Sequence, residues 1–293
     1  MLGGNLLLQI LAGLSLAAVL FIVSSGMTLI FGTMRVINMT HGSFYMFGAY
    51  LIAVTFDKLD HSMATFALAI LVSAAVVFAI GVIIELVILR RLYDGEHLLQ
   101  LLATWALMLI FEELALDVWG SATVTAPHPP LVSGSFSLGN ATIPMYDVFL
   151  IIVAVIIFVA LGIFTNRMHI GRLLRAAVED HELLETLGIN VRQLYTVAFG
   201  VGAFLAAVGG AVIAPQISVG PGIDLSILVE SFVVAVVGGL GNIKGAAIGA
   251  IIIGIAETFG STYFPSVSEA TIYIVMVVVL IVRPQGLLSR EEL

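Results

Sequence analysis

"GRLLRAAVEDHELLETLGINVRQ" (residues 171–193) places seven charged side chains and a His in 23 residues of a 293-residue chain that is 60% hydrophobic and only 10% charged. Apolar runs at 145–165 and 194–214 flank it. Each is about the 20 residues that a helix needs to cross roughly 30 Å of hydrocarbon, so the polar stretch is a loop between two membrane spans. Read outward from it, similar runs recur along the whole chain, near 6–31, 42–57, 63–89, 98–118, 226–238, 245–260 and 268–283. With a mean hydropathy of +1.16, the expected fold is an all-α polytopic membrane protein of eight to nine transmembrane helices, as one domain over 1–293. The runs at 42–57 and on either side of "GGLGNIKG" (238–245) barely cover the hydrocarbon thickness, so broken or re-entrant segments are expected there.

The first run begins almost at Met1, with no basic segment ahead and no small-residue cleavage site behind, and is expected to be a retained span. Cys is absent, which excludes disulfides, thiolate ligands and a Cys nucleophile, and six scattered His give no zinc spacing. A net charge of −8 argues against nucleic acid as a partner. No G-x-x-x-x-G-K-[ST] occurs, so the chain has no phosphate-binding loop of its own.

Orientation follows from the eleven Lys and Arg, because short cytoplasmic loops retain positive charge. With the C-terminus inside, Arg35, Arg90, Arg91, Arg167, Arg172, Arg175, Arg192, Lys244, Arg283 and Arg290 fall on the cytoplasmic side, and only Lys58 falls outside. Asp57, Asp60, Glu112, Glu113, Asp117, Asp147, Asp224 and Glu269 gather at the outer ends. Nine spans with the N-terminus outside satisfy this alternation. The Pro-, Gly-, Ser- and Thr-rich stretch at about 119–144 is then the longest outer loop, and the polar loop, about 166–193, is cytoplasmic.

On a helical wheel, Arg172, Arg175, Glu179, Glu182 and Thr186 form one face of that loop, opposite Leu173, Ala177, Leu184 and Leu187. One amphipathic helix of about 17 residues is expected, ending at Gly188, where a left-handed glycine lets Ile189 fold back. Two readings compete: a helix lying on lipid, or a docking surface. Lipid-bound helices favour Lys and Arg, whereas Glu179, Asp180, Glu182 and Glu185 accompany the arginines here. Mixed signs suit a protein partner.

Gly171-Arg172-x-x-Arg175-Ala176-x-x-Glu179-Asp180, ending Leu187-Gly188-Ile189-Asn190, resembles the cytoplasmic loop of the permease subunits of ATP-binding-cassette importers for branched-chain amino acids, the H-type membrane subunit in particular. "GMTLIFGTMRVINMTHGSFYMFGAY" (26–50), "VVGGLGNIKGAAIGA" (236–250) and "RPQGLL" (283–288) are similar to further stretches of that family. The resemblance implies a transport subunit of the cell membrane, not an enzyme, importing leucine, isoleucine and valine; related permeases carry urea, amides or other small solutes. It implies as partners a second permease chain (a copy or a sister), two cytoplasmic ATPase subunits that hold ATP and Mg, and an external solute-binding protein. The loop becomes a coupling helix, with Gly171, Arg172, Arg175, Ala176, Glu179, Asp180, Leu187 and Gly188 as its docking residues.

Other polar groups lie among the spans. Arg35, Asn38, Thr40, His41, Ser43 and Tyr45 fall between two apolar helices, either as a turn in the headgroups or as a re-entrant segment shaping an inner gate. Glu230 and Glu257 sit within or near outer span ends, lining an aqueous vestibule or resting in the headgroups. Asn38, His41, Tyr45, Glu230 and Glu257 are therefore the pathway candidates. Gly241, Gly245 and Gly249, spaced by four, are expected to let a second helix approach closely, within this chain or from another. A secondary transporter would need paired ionisable groups at mid-span, and few are present; an intramembrane enzyme lacks a nucleophile and its base.

Overall fold

The computed structural model describes residues 2–93, 95–138 and 141–288; Arg290 lies outside the described residues, as do the side chains of Glu182 and Glu269. In chain order the helices are α1 (Leu2–Met34), α2 (Thr40–Phe56), α3 (Met63–Val87), α4 (His97–Trp119), α5 (Met145–Arg167), α6 (His169–Glu179), α7 (His181–Thr186), α8 (Val191–Ile213), α9 (Ile223–Gly238), α10 (Ile243–Tyr263) and α11 (Ser268–Val282). Each expected span falls on one of them. Among the described residues, five helical stretches are long and apolar enough to cross a membrane: Leu6–Met34, Met63–Arg91, Met145–Arg167, Val191–Ile213 and Ile243–Tyr263. The loop before α5 carries a short antiparallel hairpin that hydropathy does not signal, β1 (Ser135–Leu138) with β2 (Ala141–Pro144), in register Ser135 to Pro144.

The core forms around α2, whose Phe44, Met46, Tyr50, Ile52 and Phe56 are fully enclosed. Burial on every side is possible because small residues let backbones meet. A Cβ on Gly48 would overlap the Ala207 carbonyl of α8, and one on Gly210 would overlap the Tyr45 carbonyl of α2. In lipid, such close backbone packing replaces the hydrophobic drive that holds soluble helices together. On the other flank Tyr50 stacks on Trp119 of α4 at 4.8 Å, and Phe47 meets Phe111 edge-on at 5.3 Å.

Two of the short elements begin deep in the bundle. The backbone turns at Arg35, whose φ is +54°, and residues 35–39 fold back along α1. His41, in the first turn of α2, places Nε2 2.9 Å from the Val23 carbonyl. Val23 is eleven residues, about 16 Å of helix, back from the end of α1 at Met34. Asn38 holds this entry, its Oδ1 accepting from the Thr40 amide at 3.1 Å and hydroxyl at 2.5 Å. The N-terminus of α9 meets the same level, since a Cβ on Gly42 would overlap the Asp224 carbonyl. Asp224 is thus fully buried, not at a membrane face where its position in the sequence puts it.

The opposite ends of α1, α9 and α10 converge. Gly241 has φ +85° and touches Gly32 and Val178. Leu287 and Leu288 donate their amides to the Val237 and Gly238 carbonyls at 2.9 and 3.1 Å, and Asn242 Nδ2 donates to the Leu288 carbonyl at 2.6 Å. The C-terminal segment, the end of α1, the α9–α10 turn and α6 therefore share one end of the molecule.

Candidate functional site

The polar stretch forms two helices rather than the single one expected. α6 stops because Asp180 takes an extended conformation (φ −155°, ψ 99°), and its Oδ1 then accepts from the Leu183 amide at 2.9 Å to start α7. Asp is a strong N-cap, so the residue expected inside a helix instead begins a new one. The end is as the Gly188 rule requires: φ is +80°, the Gly188 amide bonds the Glu185 carbonyl, and the Ile189 amide bonds the Leu184 carbonyl. Asn190 caps α8 through the Gln193 amide at 3.2 Å.

A small core of its own holds the pair of helices. Leu174, Ala177, Leu184, Val191, Leu194 and Ala198 pack together, with Phe164, Leu173, Ala176 and Ile189 at the edge. The entry is tight. Gly171 is buried, and a Cβ there would overlap the Phe164 carbonyl and lie 2.9 Å from Thr165 Cα, so the α5–α6 elbow admits no side chain. Gly171→Ala is expected to open this elbow, lowering the thermal midpoint in detergent by an amount equivalent to about 1–3 kcal/mol; an unchanged midpoint would show that the elbow is slack.

Outward, Arg172, Arg175, Glu179, Asp180, Glu185 and Thr186 are exposed. Arg175 Nη1 donates to Asn166 Oδ1 at 2.6 Å, fixing one cation above the end of α5. The break at Asp180 rotates α7 relative to α6, which corrects the wheel: Leu187, expected on the buried face, is 68% exposed, and Leu183 is 55% exposed. Two leucines therefore stand among charges of both signs.

The pathway candidates separate into two groups. Asn38 and His41 are enclosed at the α1–α2 crossing, and Asn38 Nδ2 and His41 Nδ1 are among the buried polar atoms left without hydrogen bonds. Tyr45, Glu230 and Glu257 lie on α2, α9 and α10, with Glu230 near enough to act electrostatically on both others. Glu230 is mid-helix rather than near an end. Gly245 and Gly249 pack on α9, where a Cβ on Gly245 would overlap the Gly238 carbonyl and one on Gly249 would lie 2.6 Å from the Val234 carbonyl oxygen, so the partner helix is internal. Gly241 is not on that face, because α10 begins only at Ile243.

Two groups escape a reading by residue type. Asp224 has neither carboxylate oxygen hydrogen-bonded among the described residues. Glu85, on α3, is fully buried and forms an ion pair with Arg90 at 3.2 Å. The signal for both was a carboxylate inside or beside an apolar run, which needs a partner or water. No group of His, Asp and Glu able to hold a metal ion occurs among the described residues.

The sequence is similar to known proteins over nearly its whole length. The sequence model of the family described as branched-chain amino acid transport system / permease component matches residues 9–282. The chain is 31% identical to the high-affinity branched-chain amino acid transport system permease protein BraD of Pseudomonas aeruginosa, over 97% of this chain and 96% of that one. It is 29% identical to LivH of Escherichia coli K12, over 97% and 96%. It is also 24% identical to LivM of the same strain, over 94% of this chain and 68% of that one.

Proposed function

Because the chain belongs to the family of branched-chain amino acid transport permease components, we propose that it is the membrane-spanning subunit of an ATP-binding-cassette importer that admits leucine, isoleucine and valine delivered by an external solute-binding protein. The observation that carries this is the α6–α7 knob: a folded, two-signed surface with two exposed leucines, in a chain with no phosphate-binding loop of its own. Energy comes from two ATPase subunits, holding ATP and Mg, that grip α6 and α7 at the cytoplasmic face. The two similar E. coli chains, LivH and LivM, support pairing with a sister permease rather than with a copy.

In this reading the end shared by α6, the α9–α10 turn and the C-terminus is cytoplasmic, which puts Arg35, Arg283 and the knob's arginines inside. Residues 1–293 form one permease domain of the inner or plasma membrane. The five long helices, with α2, α4, α9 and α11, make nine membrane elements, of which α2 and α9 start at mid-depth. Their N-termini and Asn38, His41, Tyr45, Glu230 and Glu257 border the route that opens and closes, as broken helices do in other transporters.

Proteoliposomes carrying this chain, its sister permease, the ATPases and the binding protein are expected to accumulate leucine only with ATP. A cysteine at exposed Thr186 is expected to react with an impermeant maleimide in inverted vesicles and not in intact cells. Leucine uptake driven by an ion gradient without the ATPases, or labelling of Thr186→Cys from outside, would overturn the assignment.

A further inference from the structure

A buried charge joins the end of α3 to the foot of α8. Glu85 is fully enclosed in the last turn of α3, and such a carboxylate persists only if its lone pairs are met. The helix stops at Val87, and a tight turn at Leu89–Arg91 brings Arg90 back over it. Arg90 Nε donates to Oε1 at 3.3 Å and Nη2 to Oε2 at 3.2 Å, while the Tyr93 hydroxyl donates to Oε1 at 2.8 Å. The same Nη2 donates to Thr196 Oγ1 on α8 at 2.6 Å. That hydroxyl donates in turn to the Arg192 carbonyl at 3.0 Å, so its proton and a lone pair are both used.

The surroundings reinforce the join. The ring of Tyr93 meets that of Tyr195 edge-on at 5.2 Å, a favoured aromatic geometry. Burial, and then the hydrogen bond to Glu85, push the Tyr93 phenol far above its ordinary range, so it remains a proton donor at any physiological pH. Gln100 Nε2 donates to the Leu92 carbonyl at 2.8 Å, which ties α4 to the same loop. Elsewhere α3 and α8 meet through apolar groups, Gly81 lying where a Cβ would come 2.7 Å from the Ala203 methyl and Gly200 where one would come 2.7 Å from the Phe78 ring. Contacts of that kind pack the helices closely but carry no directional polar link.

α8 follows α7 after only residues 187–190, so a tilt of α7 reaches α8 first. We propose that Glu85, Arg90, Tyr93 and Thr196 form a strut that makes α3 and α8 move as one body when the ATPases displace α6 and α7, carrying the motion on to α4 and the aromatic stack on α2. The inference rests on the importer reading above. Thr196 is a positioning residue that touches neither solute nor ATPase.

Thr196→Val keeps the shape and the Glu85–Arg90–Tyr93 trio but removes the acceptor on α8. In proteoliposomes of the full complex, the ATP hydrolysed per leucine imported is expected to rise about two- to thirty-fold in Thr196→Val, with assembly unchanged, and to stay at the wild-type ratio in Thr196→Ser. An unchanged ratio in Thr196→Val overturns the strut. Should that variant fail to assemble, Tyr93→Phe, which weakens the same link from the other side, decides by the same ratio. Wild-type complex without ATP-dependent leucine import would instead remove the importer reading, and the strut with it.

Discussion

Replacing Leu183 and Leu187 with Asp is expected to abolish copurification of the proposed ATPase subunits while the chain still inserts and runs as a single species. Leu183, on a helix of six residues, is 55% exposed, and Leu187, which caps the end of that helix, is 68% exposed; neither belongs to the small core behind them. Burying a leucine contributes about 1.5–3 kcal/mol, so the pair offers about 3–6 kcal/mol, two to four powers of ten in affinity. An Asp in the same pocket adds the cost of an unpaired charge. Reversing charge at Arg172, Arg175 and Glu179 also removes copurification, but through the rim, where charges steer association and weaken with salt. The leucine pair therefore fails at every ionic strength, whereas the repulsion created by the charge reversals is screened, and copurification partly rescued, at high salt. Leu183→Asp with Leu187→Asp that still copurifies at high salt would mean that these leucines rest on lipid and that α7 is no docking element.

Hydropathy made the helices legible because the membrane imposes their length: every expected span lies on a helix, and of the runs that looked too short, 42–57 and 226–238 became the short α2 and α9, whereas 245–260 became α10, which is long enough to cross. The helix stop at Gly188 was legible because only a glycine takes that backbone angle cheaply. The break at Asp180 was not, since an Asp in a charged amphipathic stretch reads as a solvated helix position until its side chain is seen capping the next turn. That one misreading put Leu187 on the wrong face. Gly241 misled in the opposite way. Its spacing from Gly245 and Gly249 is that of a helix face, yet Asn242 caps α10 through the Lys244 and Gly245 amides, leaving Gly241 in the turn. Glu85 and Arg90 are five apart, a spacing that does not bring side chains together on a continuous α-helix. Only the tight turn after Val87 joins them, and Thr196, more than a hundred residues on, lay beyond any local pattern.

Enlarging Gly210 is expected to have the largest effect on the fold itself. A Cβ there would overlap the Tyr45 carbonyl and come 3.0 Å from the Ala49 amide nitrogen, and both are backbone atoms of the helix around which the bundle is built. A side-chain clash relaxes by rotation, but this one requires α2 and α8 to part. Overpacking a core costs about 1–3 kcal/mol even where side chains can yield. Between membrane helices, where close packing itself supplies the attraction, parting the backbones also removes the contacts around Gly48 and Ala207. Gly210→Leu is therefore expected to leave no monodisperse protein on size exclusion in detergent, and Gly210→Ala to lower the thermal midpoint markedly. Gly162 provides the contrast, because a Cβ there meets nothing within 4 Å. Gly162→Ala in α5 should gain about 0.5–1 kcal/mol from helix propensity alone and raise the midpoint slightly. If Gly210→Leu purified as well as Gly162→Ala, α2 would not be gripped by α8, and the mid-depth start of α2, on which the proposed gate depends, would lose its support.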